Sequence, residues 1–209
     1  MFPMNEKFKD WITNKTILGA AGAVFLLFAV LYSVYAFSDQ EPVVLSQQFV
    51  VSRNNAADVG KEIVDLANET NRILRRVTLL NPQGEYRDIL LLLDQAKTAN
   101  DDAYRRAFTL SQYLRELTES LGSISSIDSQ RLAYEAVATE LSLVSEFITY
   151  TNYISSFLDL LSYSTPAEIE TKAKQAENIL GEINTSSKKI NDLNSDFLML
   201  MGKFDKSLQ

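Results

Sequence analysis

Enzyme chemistry needs nucleophiles, general bases or metal ligands at defined spacing, and this 209-residue chain holds no His and no Cys. Ser-His-Asp and Cys-His catalysis are thereby excluded, as are thiolate or imidazole zinc sites and His-ligated haem. The Glu-x-x-His pairs of diiron bundles cannot be built either. Carboxylates, Lys, Tyr and Ser remain. The closest acidic groupings are Asp101-Asp102 and Glu168 with Glu170. Neither has the alternating oxygen ligands and central glycine of a calcium loop, so both read as solvated helix faces. Seven scattered glycines form no phosphate loop. Arg72, Arg75 and Arg76 share a helix face that would suit a carboxylate or phosphate, and pairing within the chain to Asp88 and Glu182 is the simpler reading. The expectation is a protein that is not an enzyme, with no catalytic, cofactor or metal residues.

The positioning elements begin with an uncharged run from Thr16 to Phe37, TILGAAGAVFLLFAVLYSVYAF. As a helix it reaches about 33 Å, enough to cross a hydrocarbon core of about 30 Å. Lys7, Lys9 and Lys15 precede it, while Asp39 and Glu41 follow, and short basic flanks stay in the cytoplasm. The sequence predicts a cytoplasmic stub at residues 1–15, a transmembrane anchor at 16–37 in the bilayer, a linker at 38–44 and an extracytoplasmic domain at 45–209. Cleavage after Ala36 as a signal peptide is the rival reading, and it places the domain on the same side. Gly19 and Ala23 form a small-xxx-small pair of a common kind.

Beyond the anchor, residues 39–209 carry 17 basic and 25 acidic side chains, a balance that disfavours nucleic acid as a partner. Without disulfides, stability has to come from apolar burial along long helices. Pro42 breaks the chain after the anchor. From Leu45 a spacing of three and four then runs through Phe49, Ser52, Ala56, Val59, Ile63, Leu66, Thr70, Ile73, Val77 and Leu80. Asn81-Pro82-Gln83-Gly84 reads as a turn. A second stripe follows at Tyr86, Ile89, Leu93, Ala96, Asn100, Ala103, Ala107, Leu110, Leu114, Leu117 and Leu121, closed by Gly122 and a Ser-rich loop. The third helix spans about 129–162 on Tyr134, Val137, Leu141, Val144, Ile148, Thr151, Ser155 and Leu158. Thr165, Pro166 and Glu168 form a capping box that starts the fourth. Its stripe runs from Ile169 through Ala176, Leu180, Ile183, Ser187, Ile190, Asn194, Phe197, Met201 and Phe204 to Leu208.

Four similar helices with short connections predict an all-α fold: an up-down-up-down antiparallel four-helix bundle behind a single transmembrane helix. Folding back about residue 82 sets Arg76 near Asp88, Glu69 near Lys97 and Asp58 near Arg106. Folding back about residue 125 sets Arg115 near Glu135 and Arg105 near Glu146. The polar seam residues Ser52, Thr70, Asn100, Thr151, Ser155, Ser187 and Asn194 read as register control, with helix displacement as the alternative.

Apolar excess collects at the end away from the anchor. Helix 2 opens Ile89-Leu90-Leu91-Leu92-Leu93, and in Phe147 to Tyr163 the only charge is Asp159. One stripe needs about three apolar positions in seven. Leu91, Leu92, Tyr150, Tyr153, Phe157 and Leu160 are the candidate partner-binding residues, with burial in a wide core as the bland reading. The C-terminal FLMLMGKFDKSLQ is too short to span and suits an interfacial position. Asn14, Asn68 and Asn184 lie in glycosylation sequons, which arise often by chance.

In its order of parts, a short stub, one anchor and an outer four-helix bundle over residues 16–209, the chain resembles the periplasmic sensing half of bacterial chemoreceptors. No motif carries the resemblance, and no second apolar run follows the bundle as it does in those receptors. Two functions are expected. The first is a membrane-anchored structural or interaction subunit, a scaffold in a cell-envelope assembly that docks other envelope proteins or forms a homo-oligomer. The second is a ligand-binding sensor ectodomain that signals through a separate partner.

Overall fold

A computed structural model describes residues 46–80, 85–162 and 169–208. The anchor run, the linker, the turn at residues 81–84 and the Thr165 capping box lie outside the described residues. Within them the chain is all helix, with four long α-helices and no strand. These are α1 (Gln47–Leu79), α2 (Tyr86–Ser120), α3 (Ile127–Ser162) and α4 (Ile169–Ser207), with one 3₁₀ turn at Leu121–Ser123 after α2. At 33 to 39 residues each, the helices are about 50 to 58 Å long.

Local capping sets two of the starts. Ser46 Oγ accepts from the Phe49 amide at 3.2 Å, which begins α1. Ser126 Oγ accepts from the Ser129 amide at 3.3 Å, so α3 starts at Ile127, two residues before the expected Ser129.

Side-chain contacts fix the packing order of a four-helix bundle. Arg106 on α2 pairs with Glu62 on α1. Between α2 and α3, Gln130 Nε2 donates to the Leu121 carbonyl near one end, and Lys97 meets Asp159 near the other. Ser129 and Ser207 bond hydroxyl to hydroxyl at 2.9 Å, while Ser186 Oγ donates to Glu146 further along, so α3 and α4 run antiparallel. The Phe49 and Phe204 rings, 6.2 Å apart, join the start of α1 to the end of α4. We call this the basal end, because the expected anchor precedes it.

The core follows the three-and-four spacing. Phe49, Ile63, Leu93, Leu110, Ile183 and Ile190 are among the most deeply buried side chains. Of the polar seam residues, Ser52, Thr70, Asn100, Thr151, Ser187 and Asn194 are buried and Ser155 is half-buried. Asn100 Nδ2 donates to the Thr151 carbonyl at 2.9 Å, a bond between α2 and α3 that any slip of one turn would break.

Two expectations are corrected. The fold-back partners differ: Lys97 pairs with Asp159 rather than Glu69, Arg106 with Glu62 one turn from Asp58, Arg105 with Asp102, and Glu146 with Lys189. Long side chains choose among several neighbours within reach, so fold-back arithmetic predicts helix adjacency better than partners. The α3 stripe is also rotated. Val137, Val144, Thr151 and Leu158 are buried as expected, but the buried face is wider and centred on Ala133, Ala136, Glu140, Leu143, Phe147, Tyr150, Ile154 and Phe157, whereas Tyr134 and Leu141 are exposed. The aromatic rings remove the most area from water and so set the rotation of α3.

Ile190 is fully buried on α4. Ile190→Ala should lower stability by about 2 to 5 kcal/mol, measured as a lower denaturation midpoint at unchanged slope.

Candidate functional site

The sequence-predicted band does not form one surface. Leu92, Tyr150 and Phe157 lie in the core, and Tyr153 and Leu160 are half-buried against it. Leu91 alone is well exposed, at 57%. Tyr150 stacks on Phe147 at 6.0 Å between centroids. Burial pushes its phenol up to about 12, partly offset by the Asn71 side chain. Three of the six residues can therefore reach a partner only if the bundle opens. A run that is apolar on all sides of a helix does not reveal which side turns inward.

A different outward surface does form between α2 and α3, and the Lys97–Asp159 pair marks that groove. Seven and eleven residues on from Lys97 is the same helix face, which carries Tyr104 and Phe108. Eleven, eighteen and twenty-five residues back from Asp159 is likewise one face, and it carries Ile148, Leu141 and Tyr134. Phe108 is 59% exposed, Tyr134 43%, Tyr104 41% and Leu141 38%. Four of the large exposed apolar side chains thus follow one groove. The α1–α2 side differs, because its surface pocket is lined by Glu62, Asp65, Asp102, Arg105 and Arg106.

The second unusual feature is internal and basal. A cavity of about 40 Å³ lies among Phe49, Leu114, Val137 and Phe197, with Glu140 and Arg53 as its charged lining. Glu140 faces it from α3 and is 3% exposed. Burial alone pushes its carboxyl up to about 8. Arg53 Nη2 on α1 lies 3.6 Å from Asp205 Oδ1 on α4, an ion pair too long for a hydrogen bond. Burial lowers the Arg53 pKa and raises that of Asp205, in each case against the pull of the partner. Desolvation therefore outweighs attraction in this pair. The cavity has room for about two or three water molecules and is far below the size of an organic-ligand pocket. No group of three metal-ligating side chains occurs among the described residues.

Sequence reasoning missed Glu140 because the chosen α3 stripe left it outside. The available signal was its seven-residue step from Phe147 and fourteen-residue step from Ile154. No protein-family model, curated protein or solved structure matches the chain.

A carboxyl whose folded value lies above the ordinary 4.5 favours the folded state only while it is neutral. Its stabilising balance is complete below about 4.5, declines as pH rises, and levels off above about 8. Near neutral pH the cost is on the order of 3 kcal/mol. Glu140→Gln should therefore raise Tm by roughly 5 to 10 °C at pH 8 and flatten the fall of Tm between pH 5 and 8. An unchanged slope would show that the carboxyl is solvated.

Proposed function

We propose that this protein is a membrane-anchored interaction subunit of a cell-envelope assembly. In this reading residues 16–37 cross the bilayer, the short basic stub stays in the cytoplasm, and the bundle stands outside as a rod of about 50 Å. No helix among the described residues is long and apolar enough to cross a membrane, so the anchor is proposed on the uncharged run and its flanks alone. The docking surface is the outer α2–α3 groove rather than the distal band. The observation that carries this reading is the alignment of Tyr104, Phe108, Tyr134 and Leu141 along one groove, in contrast to the charged pocket on the α1–α2 side.

A sensor ectodomain is the second reading, and one feature favours it: the charged residues of the basal cavity. That cavity admits water but not an amino acid, so the interaction reading is preferred.

Phe108→Glu with Leu141→Glu should abolish crosslinking of the chain to other envelope proteins in native membranes. Because both positions are exposed, stability should change by less than about 1 kcal/mol. Protease added to intact cells should digest the region beyond Pro42. Protection of that region, or unchanged crosslinking by the double variant, would contradict the proposal.

A further inference from the structure

The outward stripes of the four helices differ in charge. Exposed positions include Asp58, Lys61 and Asp65 on α1, Asp101, Arg105, Arg115 and Glu119 on α2, and Lys188, Asp192 and Asp196 on α4. On α3, between Glu135 and Asp159, the exposed residues are Ala138, Leu141, Ser142, Ser145, Asn152 and Ser156, and none is charged. The two carboxylates in that span are turned elsewhere. Glu140 is in the core, and Glu146 is held toward α4 by Ser186 and Lys189.

With half-buried Thr149, the stripe reads 138, 142, 145, 149, 152, 156, alternating steps of four and three over about 27 Å. Three of its four hydroxyls already have partners. Ser142 donates to the Ala138 carbonyl at 2.9 Å, Thr149 to Ser145 at 3.2 Å and Ser156 to Asn152 at 2.9 Å. Drying such a surface leaves few donors without an acceptor. Small side chains also let a second helix approach closely, while Leu141 and the Phe108 groove flank the seam with apolar area.

Charge selects the occupant. Two copies related by an axis along the bundle pair in parallel, so every residue meets its own copy. The outward stripes of α1, α2 and α4 would then set Asp against Asp and Lys against Lys, whereas the α3 stripe sets only neutral side chains together. Asn152 meeting Asn152 gives an amide pair of the kind that specifies register.

We propose that two copies of this chain pair in parallel along α3, through the stripe from Ala138 to Ser156, each position facing itself. The parallel sense rests on the proposed function, since both copies are tethered to one membrane.

The chain has no cysteine, so single substitutions report self-contact without background. The full-length chain in native membranes would carry Ala138→Cys, Ser145→Cys or Asn152→Cys, with Asp196→Cys on α4 as control. Mild oxidation should give covalent dimers for all three α3 variants and none for the control. Dimers at none of the three, or at one alone as in an antiparallel crossing, overturn the pairing. Adding Ser145→Glu to the Asn152→Cys chain places like charges in contact and should cut the dimer at least tenfold. Carbonate extraction of the same samples separates the two readings. Dimers in the soluble fraction support the pairing and sink the tether, whereas a membrane-bound monomer sinks the pairing and leaves the tether standing.

Discussion

The rotation of α3 about its own axis is the constraint on which the other features depend. Phe147, Tyr150 and Phe157 are all nearly inaccessible to water. Burying such rings contributes about 1.5 to 3 kcal/mol each, together more than the penalty for one buried carboxyl. Once they face inward, helical geometry settles the rest. Glu140, two turns before Phe147, is carried into the basal cavity, while Ala138, Ser142, Ser145 and Asn152 are carried outward. The buried acid and the neutral outer stripe are two consequences of one packing decision.

Stability elsewhere relies on the same physics. With no disulfide, the long seams hold the bundle, and the bond from Asn100 to the Thr151 carbonyl pins the register of α2 against α3. Close backbone approaches are most extensive within the α1–α2 and α3–α4 pairs and sparse between α1 and α4. At the basal end that last seam relies on the Phe49–Phe204 contact and the poorly satisfied Arg53–Asp205 pair. It is the weakest boundary in the bundle, and it adjoins Glu140. Ionisation of that acid would load the side of the bundle least able to resist it.

Much of this was legible in the sequence. The stripes of α1, α2 and α4 emerged with their buried polar members, because each of those helices has one apolar face and a charged opposite face. The Pro and Gly signals separated four helices of about the observed lengths. α3 resisted the same treatment for a physical reason. A helix apolar on most sides gives a flat periodic signal, so the inward face is decided by competition among ring areas in three dimensions. The expected site fell on Tyr150 and Phe157, which are core, while the exposed Phe108 lies opposite the apolar stripe of α2, with only Tyr104 beside it on that face. Its neighbours Leu141 and Tyr134 come from another helix and are invisible to local reading.

The most direct test of the α3 rotation is a carboxyl-selective NMR titration of Glu140 in the folded protein. A midpoint near 8 is the predicted result. A midpoint near 4.5 would place Glu140 in solvent, turn α3 by about a third of a turn, and remove both the basal acid and the neutral outer stripe.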